Sequence, residues 1–203
     1  MGLHTRTVKY ITVIVAVVAS GCDGNDRRCS VLRDADGNAY AVRIMADGRT
    51  WMTDNLNLAL PDSYCYGGRA VECLRFGRLY TWASAVEACG LLGTGWRLPI
   101  DDEWRQMAKH YGGVREDSEN SGQAAYKALL RGGLSEFNAV LGGDRESGGD
   151  YTRVEDHGFY WTATESDKHH AWFYNFGRGA GLLNRHSSGE KSMAISVRCI
   201  KAF

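Results

Sequence analysis

The sequence predicts a single domain with an α+β fold, and three observations support this. The chain has 203 residues, of which 44% are hydrophobic, so one ordinary domain can bury a sizeable core. Gly is abundant at 25 residues, Pro is rare at 2, and aromatic residues reach 11%, which favours a turn-rich domain over a helical bundle. Segments of helical period and segments of strand-like alternation both occur. We therefore expect two to three short helices and a mainly antiparallel, twisted sheet.

The first 21 residues have the features of an export signal. Arg6 and Lys9 precede an apolar run over 11–19, which is too short to cross a bilayer. Small residues then lead directly into Cys22, in a pattern that resembles a bacterial lipoprotein signal. That resemblance implies cleavage before Cys22, attachment of a lipid with acyl chains such as palmitate, and a polar tether over 22–29. The alternative is a plain secretory signal with an incidental Cys.

The predicted anchor indicates a protein of the bacterial cell envelope. We expect it in the outer membrane or at the cell surface, although Asp23 is also compatible with retention in the inner membrane. The formal net charge is zero, and no basic run is long enough to follow a phosphate backbone. We therefore expect no nucleic-acid partner.

Export implies an oxidising compartment, so the six cysteines are interpreted first as disulfide partners. Cys65 and Cys73 suit a small closed loop, whereas a bond between Cys89 and Cys199 would close a loop of about 110 residues. Cys29 is left over if the preceding cysteine carries lipid. Pairing of Cys29 with Cys199, or of Cys65 with Cys89, remains open from the residues alone.

The elements follow in order along the chain. A hairpin is predicted over 40–52, with a type I′ turn at Asp47-Gly48. Helices are predicted over 81–89 and 101–111, where apolar residues recur at i, i+3, i+4 and i+7, and a third short helix over 123–130. Short apolar or strand-like segments follow at 137–141, 158–163, 171–176 and 195–201.

Two polar segments are candidates for metal binding. The segment 34–38 begins like a calcium loop but lacks the later Gly and Glu of an EF-hand, so a polar turn is predicted. His169 and His170 lie near two carboxylates, but neighbouring strand residues point to opposite faces, so a solvated loop is predicted. The sequence has no nucleophile elbow and no P-loop. We predict no metal, no cofactor and no enzyme activity.

Consecutive aromatic residues mark the segments 158–163 and 171–176. On a strand, alternate rings fill the core, and outward rings can contact proteins or stack on sugars. Core packing is expected for most of these rings. The candidates for ligand contact are Trp161, Trp172, Tyr174 and Arg178.

Eight elements in order resemble the Fibrobacter succinogenes major paralogous domain family. They lie at 51–56, 65–73, 77–82, 95–99 with 103–104, 137–143, 158–165, 171–172 and 196–199. This resemblance covers the predicted domain, 30–203, and implies an exported lipoprotein of mostly unassigned biochemical function. Ile100 stands where the family has a Ser or Thr helix cap, so Asp101 is predicted to cap the helix instead.

The domain also resembles the C-type-lectin-like and formylglycine-generating-enzyme folds. The lectin resemblance implies a bond from Cys89 in the first helix to Cys199 in the last strand. The calcium motifs of lectins and the copper-binding Cys pair of the enzymes are absent from the sequence, so a shared fold does not imply either activity.

The leading hypothesis is a lipid-anchored, non-catalytic module that binds a protein or a glycan. One alternative is an enzyme related to the formylglycine-generating group that uses histidines or Cys29 in an unrecognised site. Another is a purely structural envelope lipoprotein.

Overall fold

The computed structural model describes residues 29–201, which contain four α-helices and twelve β-strands. The helices are α1 (Ala70–Phe76), α2 (Trp82–Gly90), α3 (Asp101–His110) and α4 (Gln123–Leu129). The strands are β1 (Cys29–Arg33), β2 (Ala39–Ile44), β3 (Thr50–Met52), β4 (Ser63–Tyr64), β5 (Leu79–Tyr80), β6 (Trp96–Arg97), β7 (Gly142–Arg145), β8 (Tyr151–Val154), β9 (His157–Glu165), β10 (His170–Gly177), β11 (Leu182–Glu190) and β12 (Ile200–Lys201).

The strands form two five-stranded sheets and one two-stranded ribbon. The first sheet has the order β1-β2-β3-β12-β6, and the second sheet has the order β11-β10-β9-β7-β8. Strands β4 and β5 form the ribbon. Neighbouring strands are antiparallel except β7 and β9, which meet in parallel where Gly143 pairs with Gly158. The predicted α+β class is confirmed.

The three predicted helices are present as α2, α3 and α4, each within about one residue of its predicted bounds. Trp104, Met107 and Ala108 on α3 are fully buried, as their spacing predicted. On α2 the buried face is rotated from the predicted one. Ala88 is buried there, whereas Val86 is 41% exposed.

Two local predictions are wrong. Only Gly48 of the Asp47-Gly48 pair has a positive φ, whereas a type I′ turn needs a positive φ at both residues. Asp101 does not cap α3, because its carboxylate bonds to Arg185 and to the Tyr174 hydroxyl. The Glu103 carboxylate instead accepts the Ile100 backbone N–H at 2.9 Å.

Two hydrophobic clusters make up the core. The first joins the first sheet and α2 to one face of the second sheet, through residues that include Val42, Met52, Ala85, Cys89, Trp161, Phe173 and Val197. The second lies between α3, α4 and the other face of the second sheet, and it includes Trp51, Trp104, Tyr126, Phe137, Tyr160, Tyr174 and Phe176. The strands β9 and β10 therefore supply residues to both clusters, which is why aromatic residues follow one another in their sequence.

The disulfides Cys65–Cys73 and Cys89–Cys199 are both present, as predicted. Cys29 is also disulfide-bonded, which corrects the prediction that it is left over. The predicted signal over 1–21 and the lipid site at Cys22 lie outside the described residues. Within 29–201, no helix is both long enough and apolar enough to cross a membrane.

Candidate functional site

The structure separates the four residues predicted to contact a ligand. Trp161 and Tyr174 are fully buried and lie in different core clusters, so neither side chain is exposed at the surface. Trp172 is partly exposed, and the Arg185 guanidinium lies 3.6 Å from the centre of its ring. Arg178 is exposed on the turn between β10 and β11. These side chains do not form one site.

The polar segments considered for metal binding are turns. The Asp34 carboxylate accepts the backbone N–H and the side-chain N–H of Asn38 at 2.9 and 2.8 Å. The Asp167 carboxylate accepts the backbone N–H groups of His169 and His170, and these bonds hold its pKa down at about 2. Across 29–201, no group of three His, Cys, Asp or Glu side chains is arranged to hold a metal ion.

A row of polar and aromatic side chains lies on one face of the second sheet. His157 and Phe159 are two residues apart on β9, and Phe159 pairs with Asn175 on β10. Phe173, two residues before Asn175, pairs with His186 on β11. Alternate residues of a strand share a face, so all five side chains lie together, and we call this row the His–Phe face.

Ring contacts order the His–Phe face. The His157 ring stacks on Phe159 with centroids 5.4 Å apart and an interplanar angle of 7°. The His186 ring stacks on Phe173 at 5.0 Å, and the two phenylalanine rings are 6.0 Å apart. Phe159 and Phe173 are only 6% and 9% exposed, whereas the two histidines are partly exposed. The surface offered to a ligand is therefore a pair of imidazoles backed by phenyl rings.

Asn175 lies between the two imidazoles. Its side-chain oxygen accepts a hydrogen bond from His157 Nδ1 at 3.0 Å, which fixes the orientation of both groups. Its neighbour in the next strand, Asn184, is partly exposed and adds a second amide at the same level of the sheet. An amide carries both donors and an acceptor, so this part of the face can bind a hydroxyl group either as a hydrogen-bond donor or as an acceptor.

A polar cavity of about 390 Å³ lies at the β7–β8 end of the same sheet. Its lining includes Asp144, Glu146, Ser147, Arg153, Ser188, Glu190 and Met193. Arg153 binds both oxygens of the Asp144 carboxylate, at 3.0 and 2.7 Å, and its guanidinium also lies 5.2 Å from the centre of the Phe159 ring. Arg153 therefore connects the cavity to the His–Phe face.

Burial changes the pKa of one group in each part of the site. Burial raises the pKa of the Asp144 carboxyl, and the hydrogen bonds and charge of Arg153 oppose that rise. Burial lowers the pKa of His186, while the nearby charges of Glu116 and Arg115 act in opposite directions on it. Burial thus favours the neutral form of His186, whose imidazole has one donor and one acceptor nitrogen.

Local sequence signals do not mark the residues of this site. Phe159 and Phe173 were expected in the core, and both lie in the first cluster. The alternation of side chains along β9 is the one useful signal. Phe159 is two residues before the fully buried Trp161, so both side chains lie on the same face of the strand. Arg153 and Asp144 gave no such signal, since they meet only through the pairing of β7 with β8.

The comparisons with known proteins identify the family. The profile of the Fibrobacter succinogenes major domain matches residues 40–201, most of the chain. The chain therefore belongs to this family, as the sequence elements predicted. No curated protein and no solved structure matches it, so the C-type-lectin-like fold stays a prediction.

Proposed function

We propose that this domain is a non-catalytic carbohydrate-binding module and that the glycan lies along the His–Phe face and the adjoining cavity. The observation that carries the proposal is the position of Arg153, which lines the cavity and stacks over Phe159. Arg153 thereby joins the His–Phe face and the hydrogen-bonding groups of the cavity into one continuous surface.

A sugar ring has apolar C–H faces and a rim of hydroxyl groups. The imidazoles of His157 and His186 offer flat surfaces for the C–H faces, and the amides of Asn175 and Asn184 offer donors and acceptors for the hydroxyls. A protein partner would need a larger exposed aromatic or apolar centre than two phenylalanines that are 6% and 9% exposed. The composition of the face therefore supports a glycan over a protein ligand.

Glycan binding can be tested with a glycan array followed by calorimetry on the purified mature chain. The variant His157→Ala removes one stacking surface and the partner of the Asn175 amide, so we expect its affinity to fall about tenfold. The control is His169→Ala, since His169 is exposed in the loop before β10 and lies outside the site. Equal affinities for the two variants would contradict the proposed site.

The enzyme alternative has one observation in its favour, the raised pKa of the buried Asp144 carboxyl in a cavity. Both oxygens of this carboxylate are occupied by Arg153, and Oδ1 also accepts the Thr152 hydroxyl at 3.0 Å. That arrangement suits positioning of Arg153 better than proton transfer. Cleavage or modification of a bound glycan would support the enzyme, and an array without any bound glycan would support the structural lipoprotein.

We also propose that Cys22 carries a lipid that anchors the chain to the cell envelope. The support is the order of charged, apolar and small residues before Cys22. Metabolic labelling with a fatty acid should mark the wild-type chain and not the Cys22→Ala variant. A sulfur that carries a thioether cannot form a disulfide, so an N-terminal peptide bonded to Cys29 through Cys22 would contradict lipidation.

A further inference from the structure

A separate cleft of about 320 Å³ lies between the β1–β2 hairpin, the segment after β3 and the C-terminal end of α1. It shares no lining residue with the His–Phe face or its cavity. The residues that line it and matter below are Asp36, Asp54, Asn57, Leu74, Arg131 and Arg198.

Arg198 contributes a buried positive charge to this cleft. The residue is 1% exposed, and its guanidinium donates to Asn55 Oδ1 at 2.6 Å and to the carbonyl oxygens of Phe137 and Asn138 at 2.7 and 2.8 Å. All these acceptors are neutral. Within 29–201, no carboxylate forms a salt bridge with this guanidinium. The centres of the Phe137 and Tyr160 rings lie 4.8 and 5.8 Å from it, and Asp54 supplies negative charge at longer range.

Arg131 brings a second positive charge to the same cleft. It is exposed, and in the described part of the chain its side chain forms no hydrogen bond or ion pair. Burial lowers the pKa of the Arg198 guanidinium, and the nearby charge of Arg131 lowers it further. Two like charges that face one cleft gain from an anion placed between them.

The carboxylates of the cleft are held by backbone groups. Asp54 Oδ2 accepts the Ala41 N–H at 2.8 Å, and Asp36 Oδ2 accepts the Ala59 N–H at 2.9 Å. These bonds fix the two carboxylates away from direct contact with the arginines. An anionic ligand can therefore approach Arg131 and Arg198 without displacing an existing ion pair.

Asn57 supplies an independent sign of a ligand. Asn57 lines the cleft, and its buried side-chain oxygen has no hydrogen-bond partner among the described residues. A buried acceptor without a donor costs about 1–3 kcal/mol. A hydroxyl group on the ligand would satisfy it.

We propose that this cleft binds a small hydroxy carboxylate, with the carboxylate beside Arg131 and Arg198 and a hydroxyl group donating to Asn57. The side chain of Leu74, which is 82% exposed, lines the same cleft and can cover the carbon skeleton of the ligand. A free hydroxy acid and a sugar acid both have this chemistry.

Titrations followed by amide NMR distinguish the two sources. Lactate represents a free hydroxy acid, with propionate as the matched acid that lacks the hydroxyl. Glucuronate represents a sugar acid, with glucose as the matched sugar that lacks the carboxylate. We expect saturable changes in the amide chemical shifts of Asn57 and Ala59 with lactate or glucuronate. The affinity for the matched compounds should be at least about tenfold weaker.

The variant Arg131→Gln should weaken binding of the acids about tenfold, because one charge-assisted contact is lost. The control Lys168→Gln removes an exposed charge outside the cleft and should bind like wild type. Asn57→Ala should abolish the preference for lactate over propionate.

Equal binding by Arg131→Gln and wild type, or the absence of saturable shifts in the cleft, would overturn the proposal. Shifts confined to Asn175 and His186 would overturn it too, and would leave the glycan site standing.

Discussion

The two five-stranded sheets are held in place by different means. The first sheet is tied to α2 by the Cys89–Cys199 bond, since Cys199 directly precedes β12. No cysteine lies in a strand of the second sheet. That sheet is instead fixed by the rings around Trp104 and by the ion pair of Asp101 with Arg185, which joins α3 to β11.

This difference shows how one sheet can provide both a core and a binding surface. On one face of β10, Tyr174 stacks on Trp104 with centroids 5.0 Å apart. On the other face, Phe173 stacks on the partly exposed His186 at the same distance. On the α3 side the rings pack around Trp104, whereas on the other side Phe159 and Phe173 pack in the first cluster and only His157 and His186 are partly exposed. The candidate site is thus built on the sheet that depends entirely on non-covalent packing.

Removal of the Cys89–Cys199 bond tests the covalent side of this comparison and should have the largest effect. The double variant Cys89→Ala/Cys199→Ala should lose about 5 kcal/mol of unfolding free energy, because the bond closes a loop of 110 residues. The matched variant Cys65→Ala/Cys73→Ala opens a loop of only 8 residues and should lose about 2.5 kcal/mol. Urea denaturation measures both, and a reversed order would show that strain or residual structure dominates.

Truncation of Trp104 tests the non-covalent side. Trp104 is fully buried and contacts Trp51, Phe137, Tyr160 and Tyr174, so Trp104→Ala should cost about 4 kcal/mol.

The control for this truncation is Trp172→Ala, which removes a partly exposed indole from the second sheet and should cost about 1 kcal/mol. Hydrogen exchange should show that Trp104→Ala exposes amides of β9 and β10 first. Uniform exposure of both sheets would contradict the contrast between them.

The ion pair that joins α3 to β11 should contribute less. In Asp101→Asn the Arg185 guanidinium loses its carboxylate partner in a largely buried position, so we expect a loss of about 2 kcal/mol. The comparison variant is Asp117→Asn, which removes the carboxylate that binds Arg105 near the surface. It should lower the free energy of unfolding by no more than about 0.5 kcal/mol. Thermal unfolding at low and high salt would separate the two, since only the exposed pair is strongly screened.

The smallest effect is expected from protonation of His186. Folding lowers its pKa, so the unfolded chain binds the proton at a higher pH than the folded chain does. The stability from this group is complete above the ordinary pKa of histidine, about 6.5, and is lost progressively as the pH falls below it. His186→Gln should therefore flatten the pH dependence of stability between about pH 7 and 5. An unchanged slope, matching that of the exposed-loop control His169→Gln, would contradict the assignment.

The sequence predicted those parts of the fold that have local signals. The helices α2 and α3 follow from apolar spacing, and the two disulfides follow from export, loop size and family resemblance. Strand β11 was missed because its sequence, LLNRHSSGE, is polar where a strand signal needs alternation. Helix α1 was also missed; it begins inside the small loop closed by Cys65 and Cys73 and continues beyond it to Phe76.

The candidate site was harder to predict than the fold. Its residues come from β7, β8, β9, β10 and β11, and their proximity depends on pairing register. A bulge between Ala171 and Phe173 shifts that register within β10. The partners of Phe173 therefore cannot be counted from those of Ala171, and no local pattern reveals that Phe173 lies opposite His186.

The place of β12 in the first sheet also governs how this domain folds. Strand β12 lies between β3 and β6, and Ile200 pairs with both Trp51 and Arg97. Contacts between residues so distant along the chain slow folding, because a long loop must close before they form. Until they form, β3 and β6 each present an unpaired edge that other unfolded chains can add to. The yield of folded domain should therefore depend on the concentration of unfolded chains and on chaperones that shield these edges.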